Sequence, residues 1–104
     1  NSDDHFRNHG FLLTPRGWTL SPAYDMNPTM NEHQALLINS TTNHADLQVL
    51  LDSSEEYMIG KDEAVHIIEE VKAGVKCWKS IATSLGIAKR EMDVFEQVYQ
   101  RSLK

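Results

Sequence analysis

The chain has 104 residues and a formal net charge of −5. It can therefore form one small domain with a modest core, and its acidity argues against direct binding to nucleic acid or to an anionic membrane surface. A single cysteine, Cys77, excludes an intramolecular disulfide and fits the reducing cytoplasm, where we expect the protein to act. No apolar run approaches the roughly 18 to 20 residues of a membrane span, and the polar first segment does not resemble a signal peptide.

The first 25 residues contain the pattern of a β-hairpin. Two short apolar runs, residues 10–13 and 18–21, flank the sequence T-P-R-G at 14–17. Pro15 presets φ at the second position of a four-residue turn, and Gly17 tolerates a positive φ at the fourth. Apolar runs that flank such a turn predict two antiparallel strands. The hairpin returns the chain to where it started, because paired strands lie roughly 5 Å apart.

The segment 29–43 is predicted to be mostly loop. It contains one short apolar run, A-L-L-I at 35–38, for which a short strand is one interpretation. The following residues, 39–43, are turn and cap formers. Asn43 as the N-cap, with Asp46 three residues later, predicts the start of a helix.

Three helices are predicted from residue 44 onward, at about 44–58, 61–85 and 88–102. In the second, apolar residues recur at three- and four-residue steps. Gly74 permits a slight bend there, because glycine weakens a helix, and Gly86 ends it. The short breaks between helices indicate a compact antiparallel cluster.

The predicted fold is mainly α with a short β-hairpin, in a single domain. It consists of a hairpin segment at 1–28, a loop at 29–43 and a helical subdomain, a three-helix cluster, at 44–104.

Polar residues occupy both ends of the predicted hairpin, so the hairpin predicts that they meet. Asp3, His5 and Asn8 precede the first strand, and Tyr24 and Asp25 follow the second. Asp3 and Asn8 have the D-x-x-x-x-N spacing of a protein-kinase catalytic loop, and Asp25 stands where the metal-binding Asp of a kinase follows a short β excursion. A carboxylate such as Asp3 accepts the proton of a substrate hydroxyl. Asn8 and Asp25 offer the oxygen ligands that Mg²⁺ prefers.

The amino-acid sequences of these two segments make the match to protein kinases more specific. N-S-D-D-H-F-R-N at 1–8 and L-S-P-A-Y-D-M-N-P at 20–28 resemble the HipA-like serine/threonine kinases, which are the toxins of bacterial toxin–antitoxin pairs. The family pattern runs approximately N/T-x-D-x-H-x-K/R-N, then a hairpin, then L-S/T-P-x-Y-D. The resemblance is tight over the first 28 residues, whereas the helical tail matches only in style.

This resemblance implies a kinase-like C-terminal-lobe fragment whose parent transfers the γ-phosphoryl group of ATP to a protein hydroxyl. Asp3 would be the catalytic Asp, and Asn8 and Asp25 would bind Mg²⁺ and, through it, the nucleotide. His5 is grouped with the catalytic residues, either because it orients the loop by donating to a backbone carbonyl or because it takes part directly in proton transfer. The implied partners are a protein substrate and a helix-turn-helix antitoxin.

A kinase also needs a glycine-rich phosphate loop and a lysine that pairs with the α- and β-phosphates. We find neither motif in the 104 residues. We therefore expect the chain to be the C-terminal piece of a larger kinase and to be inactive by itself. The alternative is a non-catalytic helical interaction module derived from such a kinase, which binds a protein partner through its helical face.

Some neighbouring side chains keep more than one interpretation. Asp4 is either a second acid or a solvent-facing residue that caps the loop. Arg7 neutralises the site carboxylates, reaches a phosphate or lies on the surface. His5 and His9, together with Asp3 or Asp4, suggest a metal site, although zinc usually takes three or four ligands that include Cys or more His. Tyr24 is expected to pack beneath the Asp that follows it.

Overall fold

The computed structural model describes residues 1–103 and divides the chain into two compact units, Asn1–Ala45 and a second that begins at Asp46. The first unit contains the hairpin and the loops around it, and the second contains the α-helices. The mainly helical fold with a short β-hairpin that the sequence predicts is confirmed.

The hairpin forms at the predicted place, with strand β1 at Phe11–Thr14 and strand β2 at Gly17–Leu20. The strands pair antiparallel, and Thr14 lies opposite Gly17. Gly17 has a φ of +108°, which is the conformation for which a glycine was expected at this position. The turn is further held by the Thr14 hydroxyl, which donates to the carbonyl of Gly17 over 2.9 Å and accepts from the N–H of Arg16 over 3.2 Å.

One face of the hairpin is apolar. The register sets Phe11 opposite Leu20 and Leu13 opposite Trp18, and alternate residues of a strand share a face. These four side chains form the apolar hairpin face, and each of them is 62–71 % exposed. A two-stranded hairpin is only marginally stable in water, so the first unit depends on the hydrogen bonds at the base of the hairpin.

The short strand considered at 35–38 is not formed. The chain turns back there instead, because Ile38 donates its N–H to the carbonyl of Thr42 over 2.7 Å. The side-chain oxygen of Asn39 accepts from the N–H groups of Thr41 and Thr42, which gives the backbone an alternative to a ladder. Antiparallel pairing in this segment is limited to an isolated bridge between His33 and His44.

The first helix, α1, is shorter than predicted and spans Leu47–Asp52. Its N-cap is Asp46, whose carboxylate accepts from the N–H of Gln48 over 2.7 Å. The prediction of Asn43 as N-cap was wrong, because the Asn43 amide donates to the carbonyl of Gln34 over 2.8 Å. A 3₁₀ turn at Ser54–Tyr57 follows α1, and the next residue takes a left-handed conformation that stops it.

The long second helix of the prediction is two helices in the structure, α2 at Lys61–Lys76 and α3 at Trp78–Ser84. The break lies at Cys77, three residues after the glycine at which a slight bend was expected. The N–H of Cys77 bonds to the carbonyl of Gly74 over 3.3 Å, three residues back instead of four, and Cys77 has a ψ of −2°. Glycine is a weak helix former. Gly74 therefore allows the backbone hydrogen bonds to change from four residues back to three residues back, and this change ends α2.

The end of α3 follows the prediction closely. Gly86 has a φ of +76° and donates to the carbonyl of Thr83 over 3.0 Å, while Ile87 donates to the carbonyl of Ala82 over 3.0 Å. These two bonds form a Schellman motif, which requires a residue that tolerates positive φ. The last helix, α4, then spans Lys89–Ser102.

Side-chain contacts join α3 to α4, and one of them is the Thr83 hydroxyl, which donates to the sulfur of Met92 over 3.9 Å. The rings of Trp78 and Tyr99 stack with centroids 4.5 Å apart and an interplanar angle of 19°, and the ammonium group of Lys79 pairs with the carboxylate of Glu96. Among residues 1–103, Ala64 and Val98 are the buried apolar residues. No helix within that range is long and apolar enough to cross a membrane.

We predict that Asp46→Ala lowers the free energy of unfolding of the helical unit by about 1 kcal/mol, because the first turn of α1 loses its cap. The measurement is urea denaturation followed by circular dichroism at the helical band. Asp93→Ala is the matched control, since Asp93 is exposed within α4 and alanine is the better helix former. Equal stability of Asp46→Ala and the wild type would contradict the assignment of the cap.

We predict a pH-dependent contribution from Glu96. The hydrogen bond from Lys79 is the main reason that the pKa of Glu96 lies below its ordinary value of 4.5. A depressed folded-state pKa stabilises the protein above the unfolded-state pKa, and this stabilisation is lost as the pH falls through the folded-state pKa. Thermal melts should therefore show that Glu96→Gln lowers the midpoint at pH 7, that the difference shrinks as the pH falls below 4.5, and that it disappears once the pH is below the folded-state pKa.

The matched control for this titration is Glu70→Gln, which removes an exposed carboxylate of α2. It should leave the melting midpoint close to that of the wild type at both pH values. A Glu96→Gln effect that persisted unchanged in acid would show that packing, and not the charge on Glu96, holds α3 against α4.

Candidate functional site

The loop before the hairpin is organised around Asn8. It forms the 3₁₀ turn Phe6–Asn8, in which the N–H of Asn8 donates to the carbonyl of His5 over 2.9 Å. Asn8 is only 9 % exposed and is the buried residue of the first unit. Its side-chain nitrogen donates to the backbone carbonyl of Asp3 over 2.8 Å. This bond closes residues 3–8 into a compact loop.

The hairpin brings the two predicted segments together. The hydroxyl of Tyr24 donates to the carbonyl of Arg7 over 2.8 Å, and the side-chain nitrogen of Asn1 donates to the carbonyl of Asp25 over 3.2 Å. The backbones around Asn8 and Asp25 are thus neighbours, although 17 residues separate the partners of the first bond and 24 those of the second. A third contact, between the hydroxyls of Ser2 and Thr29 at 3.3 Å, joins the same two segments of the chain.

Asp25 has an unusual backbone. Its φ of +54° is in the left-handed region, which Asp tolerates better than most residues with a Cβ. One carboxylate oxygen, Oδ1, accepts from the side-chain nitrogen of Asn27 over 2.9 Å. Backbone outliers of this kind concentrate at functional sites, and Asp25 stands where the sequence placed a metal ligand.

Asp3 and His5 lie in the same loop in different environments. Asp3 is exposed. His5 is half-buried, and its Nδ1 atom is buried without a hydrogen-bond partner. One interpretation of the sequence was that His5 donates to a backbone carbonyl. Its Nδ1 atom does not make this hydrogen bond. His5 contributes to the loop through its own carbonyl, which accepts from the N–H of Asn8.

The neighbours of these residues take simpler positions. Asp4 pairs with Nε2 of His9 at 2.9 Å, which joins the two ends of the loop and leaves Asp4 as a loop-bracing carboxylate. Arg7 is exposed and contributes its carbonyl to the site. Within residues 1–103, no group of three or more His, Cys, Asp or Glu side chains is arranged to hold a metal ion.

The donor set fits Mg²⁺. Because Nδ2 of Asn8 is committed to Asp3, its acceptor oxygen Oδ1 is the atom that the side chain offers to a ligand. Asp25 offers its second carboxylate oxygen beside the one bonded to Asn27. Magnesium takes hard oxygen donors and is commonly held by one or two protein groups, with phosphate oxygens and water in the remaining positions.

Two polar ties were not anticipated from the sequence. Tyr24 was expected to pack beneath Asp25, whereas it acts through its hydroxyl on Arg7. Asn1 was noted only as part of the motif, and its amide holds the carbonyl of Asp25. The signal that could have found the first tie is the predicted hairpin itself, which sets Tyr24 beside the loop that ends at Asn8.

Comparison with known proteins gives one match. The family model of the HipA-like C-terminal domain matches residues 1–79, which is 79 of the 104 residues and includes the loop, the hairpin and Asp25. No curated protein and no solved structure matches the chain.

We predict that Asn8→Asp loosens the loop by roughly 1–3 kcal/mol, because it removes a buried donor and sets a carboxylate against the carbonyl of Asp3. Hydrogen exchange measured by NMR should become faster at the N–H groups of Asn8 and His9, which bond within the turn. The matched control is Asn31→Asp. It adds the same charge but keeps the side-chain oxygen that accepts from the N–H of His33. Unchanged exchange at residues 8 and 9 would remove Asn8 as the organiser of the loop.

Proposed function

Because the chain belongs to the HipA-like C-terminal domain family, we propose that it is the catalytic-loop and metal-binding segment of a serine/threonine protein kinase. The reaction is transfer of the γ-phosphoryl group of ATP to the hydroxyl of a protein substrate. The family membership supports a HipA-like protein, and the geometry of the first unit supports the kinase activity.

One observation carries the proposal. The hairpin returns the Asp25 segment to the loop that holds Asp3 and Asn8, and the hydrogen bond from Tyr24 to Arg7 fastens the two backbones together. A catalytic Asp, an Asn five residues later and a second Asp after a β excursion are the parts that protein kinases use in this order. In an unrelated protein that shares only the D-x-x-x-x-N spacing, nothing would bring a second carboxylate back to the loop.

In this mechanism, the exposed carboxylate of Asp3 accepts the proton of the substrate hydroxyl or holds that hydroxyl in line with the phosphoryl group. Its loop is held by the bond from Asn8 to the Asp3 carbonyl, so the position of the base and the position of a metal ligand are coupled. Asn8 and Asp25 would hold Mg²⁺, which would supply positive charge against the phosphates. His5 shapes the turn through its carbonyl.

The proposal requires further parts of a kinase. The phosphate-covering loop and the lysine that pairs with the α- and β-phosphates are assigned to another segment of the parent polypeptide. We therefore propose that the chain is inactive alone and that the parent is active. As a member of this family, the parent is proposed to be the toxin of a toxin–antitoxin pair and to bind a helix-turn-helix antitoxin.

A second candidate function is supported by the apolar hairpin face. Phe11, Leu13, Trp18 and Leu20 are all more than 60 % exposed, and exposed apolar patches mark protein interaction sites. A non-catalytic interaction module derived from a kinase would keep such a surface and would not need the charge of Asp3. The activity of the parent therefore separates the two candidates.

We predict that the parent protein, incubated with Mg²⁺ and ATP, gains phosphoryl groups and that Asp3→Asn lowers the rate by about 10²-fold or more, which is the usual contribution of a positioned general base. Intact-mass spectrometry measures the gain. Asp4→Asn is the matched control, because it removes the adjacent negative charge but keeps a side-chain oxygen that can accept from His9, and it should leave the rate within a fewfold range.

Three other outcomes have defined meanings. Equal rates for Asp3→Asn and the wild type would remove Asp3 from the mechanism. Equal losses in both variants would assign the effect to loop stability. No phosphate gain by the parent, with or without added antitoxin and candidate protein substrates, would favour the interaction module.

A further inference from the structure

Tyr24 makes a specific polar contact from an exposed position. The residue is 46 % exposed, so its ring is only partly buried. Its hydroxyl nevertheless donates to the carbonyl of Arg7 over 2.8 Å. A bond made across 17 residues by a half-exposed side chain indicates a role in placing one segment relative to another.

Both ends of this bond are next to a proposed metal ligand. The carbonyl of Arg7 belongs to the peptide group whose nitrogen is that of Asn8, and the residue after Tyr24 is Asp25. The hydroxyl therefore connects the two ligand-bearing backbones at points one residue away from each ligand. Tyrosine suits this task because two χ angles define the position of its ring and oxygen.

The surroundings of the hydroxyl favour this placement. The base of the hairpin is closed by the N–H of Ser21, which donates to the carbonyl of Gly10 over 2.8 Å. A Cβ atom on Gly10 would lie 3.7 Å from the Tyr24 hydroxyl and 3.6 Å from Oγ of Ser21. The Tyr24 hydroxyl therefore lies beside the base of the hairpin, at the distance at which a side chain on Gly10 would touch it.

A second tie acts on the other side of the ligand. The amide of Asn1 donates to the carbonyl of Asp25 over 3.2 Å, a longer contact in an exposed position. Between the end of β2 at Leu20 and Asp25, the chain has no regular secondary structure. These two side-chain contacts, together with the one between Ser2 and Thr29, hold the Asp25 segment against the loop, and the contact from Tyr24 is the shortest of the three.

We infer that Tyr24 is a positioning residue whose hydroxyl sets the separation between Asn8 and Asp25, so that one divalent cation binds both. This inference rests on the proposed function, because it assigns those two residues to Mg²⁺. Tyr24 acts through the carbonyl of Arg7, and it needs no contact with the cation for this role.

The first arm of the test contains no metal. Two variants of the full 104-residue chain, Tyr24→Phe and Tyr99→Phe, are compared with the wild type by ¹⁵N NMR. Each loses one tyrosine hydroxyl, and Tyr99 contacts Trp78 through its ring. Tyr24→Phe should shift the amide signals of Asn8 and Asp25 and should speed the exchange of the Asn8 N–H, which bonds within the turn, while Tyr99→Phe leaves them unchanged. Cross-strand contacts between Phe11 and Leu20 should persist in both, which shows that the hairpin is intact.

The second arm uses Mn²⁺ as a paramagnetic probe of the Mg²⁺ site. In the wild type, the amide signals of Asn8 and Asp25 should broaden together at the same Mn²⁺ concentration. Tyr24→Phe should weaken the apparent affinity about three- to tenfold, the range that corresponds to one net hydrogen bond of ordinary strength. Tyr99→Phe should bind as the wild type does.

The two arms separate the possible failures. Wild-type amide signals for Asn8 and Asp25 in Tyr24→Phe would overturn the positioning role, whatever the metal does. A perturbed first arm with unchanged Mn²⁺ affinity would show that the tie exists but does not serve the cation, which also overturns the inference. If the wild type does not bind Mn²⁺, the magnesium assignment in the proposed function fails for this chain, and the first arm alone still decides whether Tyr24 holds the two segments together.

Discussion

The hydrogen bond from the side chain of Asn8 to the carbonyl of Asp3 is the interaction on which the candidate site depends. It spans 2.8 Å and involves the buried residue of the first unit. In a segment that buries little apolar surface, a satisfied buried amide supplies order that packing does not supply. Because the same side chain also presents the proposed ligand oxygen, the shape of the loop and the position of that oxygen cannot vary independently.

The two units are stabilised by different kinds of contact. In Asn1–Ala45, order comes from the hairpin ladder, from backbone bonds such as that from Ala35 to the carbonyl of Ser2, and from side chains that bond to backbone carbonyls, such as those of Asn1, Asn8 and Tyr24. In the second unit, order comes from helical ladders, the stacked rings of Trp78 and Tyr99, and caps. A polar framework is sensitive to single atoms, since removal of one hydroxyl or amide removes a complete contact. A helical framework spreads its stabilisation over many small contacts.

The features that followed from the sequence were those with a local cause. The hairpin turn depends on Pro15 and Gly17, and the end of α3 depends on Gly86, so each could be predicted from a few adjacent residues. The approach of the loop at residues 3–8 to the Asp25 segment also followed, because a hairpin brings its two ends together.

The features that did not follow from the sequence were decided by competition between distant groups. Asn43 and Asp46 are both good N-caps, and the choice fell to Asp46 because the Asn43 amide bonds to Gln34. The strand considered at 35–38 does not form, because the side-chain oxygen of Asn39 accepts hydrogen bonds from the N–H groups of Thr41 and Thr42 and turns the chain. The hydrogen bond of the Tyr24 hydroxyl needs a carbonyl 17 residues away, and the identity of residue 24 does not indicate which carbonyl it will bind.

The left-handed backbone at Asp25 narrows the residues that this position can accept. At a φ of +54°, glycine, asparagine and aspartate are the types that avoid most of the steric cost. Glycine has no ligand oxygen, and asparagine has no charge. For the proposed magnesium ligand, aspartate is the type that meets this backbone requirement and also supplies a charged oxygen. Glutamate, the usual conservative exchange for aspartate, would be among the poorly tolerated substitutions here.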